Sequence, residues 1–134
     1  GCNKIALGHH FNDIIETIML NILYAGEYKS MMPKLKSKNF PGLELIRPMY
    51  YIKEEDIIAW SKYNGLHFID CACKLTSRKE NEGKRKEVKK LIEELKKINE
   101  NVDINILRSC ENVNLDSIVG YKNGEEKVNF LDKY

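Results

Sequence analysis

No apolar run in the 134 residues approaches the roughly 20 that a membrane-spanning helix needs, and no secretory signal pattern precedes the first strand-like segment. Cysteine is sparse: Cys2, Cys71, Cys73 and Cys110 are the whole complement, and Cys71-Ala72-Cys73 is too tight a spacing for an easy mutual disulfide. A cytoplasmic location without membrane attachment is expected, where clustered thiols more often serve metal binding or catalysis. Internal repeats and low-complexity tracts are missing too. So are an initiator methionine and a leading loop, since Gly1 and Cys2 run almost straight into "KIALG". A cut piece of a longer protein is expected.

What is present describes an ordinary soluble domain, 43% apolar and 31% charged. Its length suffices for one core and is short for two. The net charge of +2 hides a segregation. Tyr28 to Lys38 holds four lysines and no acid, and Lys74 to Lys90 holds eight basic residues against three glutamates. Residues 1–27 and 100–134 are each net acidic. Two basic blocks in an acidic chain fit either a polyanion footprint or a solvated loop and helix face.

The segment "NKIALG" reads as a buried strand ending in glycine. Ile14, Ile15, Ile18, Met19, Ile22 and Leu23 then follow helical spacing up to Gly26. "YKSMMPKLKSKNFPG", with two prolines and no period, is expected to be a loop. "LELIRPMYY" predicts a second strand, halted by Pro48 or pushed to an edge. "KEEDIIAWSKYNG" predicts a helix with three acids in its first turn, ended by Gly65, and "LHFIDCAC" a third strand. A long polar helix follows, roughly Arg78 to Asn99, with Val88, Leu91, Ile92, Leu95 and Ile98 as its buried stripe. "VDINILRSCENV" holds a further helical turn or two, and the tail one Asn-Gly turn. The alternation predicts an α/β fold: part of a doubly wound parallel sheet of about three strands, with flanking helices and a helical C-terminal region.

Chemistry concentrates in "GHHFNDIIET". Gly8, His9 and His10 stand where a strand ends and a helix begins, the usual ligand position in open α/β sheets. A helix N-terminus suits phosphate. Asp13 and Glu16, one turn apart, could share a magnesium ion with such a phosphate. Helix capping by Asn12 and Asp13 is the competing explanation, and on these residues alone it is the stronger. Cys71 and Cys73 cannot fill a metal site unaided, and nothing in the spacing of Cys2 or Cys110 recommends them as further ligands.

Read together, "LGHHxxDxxET", "MxPKL", "RPxxY", "EDI" and "CAC", in that order, resemble the PP-loop ATP pyrophosphatases that make 2-thiocytidine in tRNA (TtcA-like proteins). The likeness runs from Cys2 to about Lys97, more weakly to Tyr121. It implies an adenine-nucleotide alpha-hydrolase fold, with residues 1–73 as the second half of the nucleotide-binding domain and 74–134 as a basic helical extension. It also implies ATP, Mg²⁺ and adenylation of a cytosine in the anticodon loop, followed by replacement of its 2-oxygen with sulfur. Tyrosine-rich "RPMYY" aside, the carried positions are few. Gly8, His9, His10 and Asn12 fall on the nucleotide side and Asp13 on the catalytic acid. Lys34, Arg47, Arg78, Lys84 and Arg85 fall on tRNA contacts. An iron–sulfur cluster is held in the family by three cysteines, the third matching Cys71, with Cys73 as the other choice. The implied partners are tRNA, ATP and a sulfur donor such as a cysteine desulfurase.

Two departures stand out. Asn12 replaces the first of two aspartates, and neither a Ser-Gly-Gly-x-Asp-Ser loop nor a C-x-x-C pair occurs in this chain. The 134 residues alone are therefore expected to be inactive. Rival readings are a non-catalytic RNA- or nucleotide-binding module and a related PP-loop enzyme acting on another base. With so few strands, an exposed sheet edge should drive homo-oligomer formation. Light scattering at high concentration is expected to report a species larger than the monomer; a monodisperse monomer contradicts this.

Overall fold

The computed structural model describes residues 1–68 and 79–134. Strand β1 (Lys4–Ala6) leads through Gly8 and the two histidines into helix α1 (Phe11–Leu20), continued by a π-helical turn, Asn21–Ala25. Strands β2 (Lys34–Lys36) and β3 (Glu44–Ile46) follow, then helices α2 (Glu54–Tyr63), α3 (Lys79–Ile98) and α4 (Val102–Glu111). A hairpin of β4 (Gly120–Asn123) and β5 (Glu126–Asn129) turns at Gly124 near the end of the chain.

The principal sheet has the order β1-β3-β2. β1 and β3 are parallel, Ile5 opposite Leu45, and β2 is antiparallel to β3, Leu35 opposite Leu45. α1 is thus the crossover between two parallel strands, as the alternation predicted. The sheet is mixed rather than parallel, because β2 arises inside the segment expected to be a loop. Lys34-Leu35-Lys36 supplies the reason: two exposed lysines flank a half-buried leucine, the two-residue period of a strand. Pro48 halts β3 instead of sending it to an edge, since β3 is the central strand. Leu66–Phe68, the start of the expected third strand, form none, and Ile69 to Cys73 lie outside the described residues. Beyond β1 no further strand pairs among the described residues, and Ile5 is 44% exposed.

The core lies among the helices. Phe11, Ile14, Ile15 and Ile18 form one face of α1, buried against Val88 and Ile92 of α3 and Leu107 of α4, with Tyr50 closing the end. Each such side chain contributes roughly 1.5–3 kcal/mol. Ile22 and Leu23, expected to extend this face, are 43% and 50% exposed. The π-helical turn that carries them spaces residues more widely and rotates them off the stripe. Leu91 and Ile98 likewise fall outside the buried face of α3, which is narrower than its apolar pattern.

One buried acid ties the helices together. Asp103, in the first turn of α4, accepts from Lys53 at 3.0 Å and from Lys96 of α3 at 3.2 Å. Burial alone would raise its pKa, but the bonds from Lys53, the Ile104 backbone and Lys96 outweigh that and hold the carboxyl low. A depressed carboxylate contributes stability above its unfolded pKa of about 3.9, lost as pH falls through the folded value. Asp103→Ala is expected to cost about 2–4 kcal/mol in urea unfolding at neutral pH. The two unfolding curves should converge in acid.

Candidate functional site

The end of β1 and the start of α1 carry most of the sequence-derived candidates. Leu7 donates its backbone N–H to Ile46 (2.9 Å), extending the strand pairing to the edge of the turn. A Cβ at Gly8 would meet only the Met49 methyl carbon, at 3.9 Å, and Gly8 is not at positive φ. Neither packing nor backbone among the described residues thus requires glycine here, which leaves room for a ligand to approach the chain.

His9 and His10 diverge. Arg47 Nε donates to His9 Nδ1 at 3.3 Å and its guanidinium also donates to the Met32 carbonyl. His9 therefore accepts on Nδ1 in this contact. His10 caps α1: Asp13 Oδ2 accepts the His10 backbone N–H at 3.1 Å and lies 3.3 Å from His10 Nε2. His10 Nδ1 is buried without a hydrogen-bond partner among the described residues. Phe11 N–H is taken by the Ile52 carbonyl at 3.0 Å, so one first-turn donor of α1 is already committed.

Asn12 points elsewhere. Its side-chain oxygen accepts the Glu54 backbone N–H at 2.9 Å, capping α2 from a different helix. Lys53, the residue at the N-cap position of α2, makes no side-chain capping bond. Asn12 supplies this oxygen without adding a charge next to Glu54, Glu55 and Asp56. That gives the Asp-to-Asn departure a local structural role.

Helix α3 closes the site. Arg85 Nε lies 3.1 Å from Glu16 Oε2, and its NH2 lies 3.8 Å from Asp13 Oδ1. One turn on, Lys89 bonds Glu54 at 2.8 Å, which raises the lysine pKa. His10, Asp13, Glu16 and Glu54 thus face Arg85, Lys86 and Lys89 across an open cleft of about 320 Å³. Glu16 is titrated upward, chiefly by burial, against the pull of Arg85, with Asp13 and Glu54 adding to the rise.

Of the sequence-derived candidates the cleft brings together His10, Asp13 and Arg85; Arg47 instead engages His9, and Asn12 caps α2. Lys34 is apart, on β2, paired with Glu44 at 3.1 Å. Lys84 leaves the cleft as well and stands over the Tyr24 ring, 5.4 Å from its centroid. Cys71, Cys73 and Arg78 lie outside the described residues. Lys89 and Glu54 were missed in the sequence. The available signal was the four-residue spacing of Arg85 and Lys89, which puts them on one helix face.

Residues 1–90 match the family model of the PP-loop domain. The chain belongs to the PP-loop family. Its curated relatives include the tRNA-cytidine(32) 2-sulfurtransferase of Geobacter metallireducens, 36% identical over 113 residues, covering 84% of this chain and 43% of the relative. The enzyme of the same name from Syntrophotalea carbinolica is 42% identical over 95 residues, with 71% and 36% covered. That of Francisella philomiragia, tRNA-cytidine(32) 2-sulfurtransferase 1, is 43% identical over 111 residues, with 83% and 42% covered. The chain thus spans 36–43% of the length of these PP-loop relatives. Among solved structures, the U34-tRNA thiolase NcsA of Methanococcus maripaludis, with its [4Fe-4S] cluster, matches at a TM-score of 0.63 and 23% identity. The match covers 82% of this chain and 36% of that one, and it shows a common fold. The expected family and α/β fold class hold.

A carboxylate whose folded pKa is raised destabilises the fold as pH rises through that value, so Glu16 needs Arg85 most when it is ionised. Arg85→Ala is expected to cost about 1 kcal/mol at neutral pH and less near pH 4, where Glu16 is protonated in both proteins. Thermal unfolding across pH measures this; a pH-independent loss contradicts it.

Proposed function

We propose that this chain supplies the carboxyl-terminal part of an ATP-dependent tRNA cytidine 2-sulfurtransferase. The similarity to tRNA-cytidine(32) 2-sulfurtransferases along more than four-fifths of the chain carries this reading. The cleft beside His10, Asp13 and Arg85 supports it. The function belongs to the whole protein, which would act in the cytoplasm on tRNA and ATP with a separate sulfur donor.

In this reading Gly8, His9 and His10 border the nucleotide, with the absent side chain of Gly8 leaving its path clear. Asp13 Oδ2 is committed to His10, so Oδ1, facing Arg85, is the oxygen left for Mg²⁺ or a proton. That donor set fits magnesium, which needs only one or two carboxylates beside substrate phosphates. The ion would supply charge neutralisation at the pyrophosphate leaving group. Arg85, half exposed, would exchange Asp13 and Glu16 for phosphate oxygens when nucleotide or tRNA enters. Cys71, with Cys73 as the other choice, would hold the iron–sulfur cluster together with cysteines from elsewhere in the protein. Lys34, Arg47, Arg78 and Lys84 are proposed tRNA contacts that add affinity without selecting sequence. A non-catalytic RNA-binding module is the second reading, favoured by Asn12.

The complete open reading frame containing these residues, expressed in a strain that lacks 2-thiocytidine, should restore that nucleoside in digested tRNA, read by mass spectrometry. Asp13→Ala should lower it by at least about 100-fold, and Cys71→Ala should abolish the iron–sulfur absorbance. Unmodified tRNA from a well-folded, cluster-loaded protein would move the assignment to the binding module.

A further inference from the structure

The β2–β3 hairpin carries an aromatic ring that the fold does not use. Its turn, residues 37–43, is internally bonded: Ser37 N–H reaches the Leu43 carbonyl at 2.8 Å and Leu43 N–H the Phe40 carbonyl at 3.1 Å. Phe40 N–H donates to Ser37 Oγ at 3.1 Å. Gly42, at φ 83°, reverses the chain where a side chain would be strained, and Pro41 stiffens it. This well-defined turn holds Phe40 outward, 64% exposed.

A single exposed apolar residue is unremarkable, but the company of Phe40 is not neutral. Lys36 and Lys38 precede it by four and two residues, both exposed and neither ion-paired among the described residues. The one acid nearby, Glu44, is held by Lys34 at 3.1 Å and Lys4 at 3.7 Å, which pulls its pKa down through the Lys34 bond first. From Tyr28 to Leu43 there is no acidic residue at all. An exposed aromatic ring on a stiff turn, with two lysines free of ion pairs among the described residues just before it, matches a single-stranded nucleic acid, which offers a base to stack and a phosphate beside it. A duplex hides its base faces and offers only the phosphates.

We infer that Phe40, with Lys36 and Lys38, forms a stacking anchor for an unpaired nucleotide of the RNA substrate, separate from the candidate nucleotide site. This rests on the tRNA reading above and adds a second contact to it. β2 runs away from Arg47 and His9, so its turn lies at the far end of the sheet, about 10 Å of strand removed. Phe40 therefore anchors the RNA without touching the reacting base. The anchor also adds two lysines beyond Lys34, whose own ammonium is engaged with Glu44.

Fluorescence anisotropy on the full 134-residue chain tests this with a labelled RNA stem-loop and the blunt duplex of its stem. Phe40→Ala is expected to weaken stem-loop binding about tenfold and to leave duplex binding unchanged, while Phe40→Tyr retains it. Lys36→Ala with Lys38→Ala should weaken both RNAs and reduce the salt slope by about 1.4. The exposed position of Phe40 predicts an unchanged melting temperature, so loss of fold is read separately. Equal loss on stem-loop and duplex, or none on either, overturns the stacking anchor while the tRNA reading stands. Displacement of the stem-loop by polyglutamate as readily as by single-stranded RNA also overturns it. If the unsubstituted chain binds neither RNA, the tRNA reading of this chain falls together with the anchor.

Discussion

Ile14, Ile15 and Ile18 are almost completely removed from solvent, and the rest of the structure depends on how that is done. α1 is the crossover between β1 and β3, yet its buried face packs on α3 and α4, from the far end of the sequence. Covering three isoleucines and a phenylalanine is worth several kcal/mol. That packing decides where α3 lies along α1. Val88 and Ile92 meet the isoleucines, and Arg85, one turn earlier, comes to rest beside Glu16 and Asp13.

The same packing sorts the basic helix into two functions. Lys96 and Lys89 are spent within the protein, on Asp103 of α4 and Glu54 of α2. Arg85 and Lys86 line the cleft, and Lys84 turns toward Tyr24. A row of like charges in the sequence is thus partly a clamp between helices and partly a surface for an anion. The carboxyl of buried Asp103 is held low by two lysines fixed on other elements, Lys53 at the start of α2 and Lys96 of α3. Glu16, nearly as buried, has its pKa raised because Arg85 only partly offsets the loss of water.

Much of the site was legible because it is local. Gly8, His9, His10, Asn12 and Asp13 are neighbours in the chain, and the strand-to-helix junction sets all five at one end of β1, with His10 and Asp13 facing the cleft. Asp13 was read both as a cap and as a chemical group, and it has one oxygen for each role. Lys34 was less legible: its motif position said nothing of Glu44, which lies across a strand pairing hidden inside an apparent loop. Ile22 and Leu23 misled in the opposite sense, since a helical spacing cannot announce that the helix widens into a π-helical turn.

Local patterns by themselves determined the parallel β1–α1–β3 unit, the acidic start of α2 and the family motifs, because each depends on neighbours within a turn or two. Tertiary structure alone decided that Asn12 caps α2, that Arg47 engages His9, and that Arg85 pairs with Glu16. Those contacts join residues about 40 to 70 positions apart. Their partners are chosen by which apolar faces must be covered, and no spacing within a single segment encodes that choice.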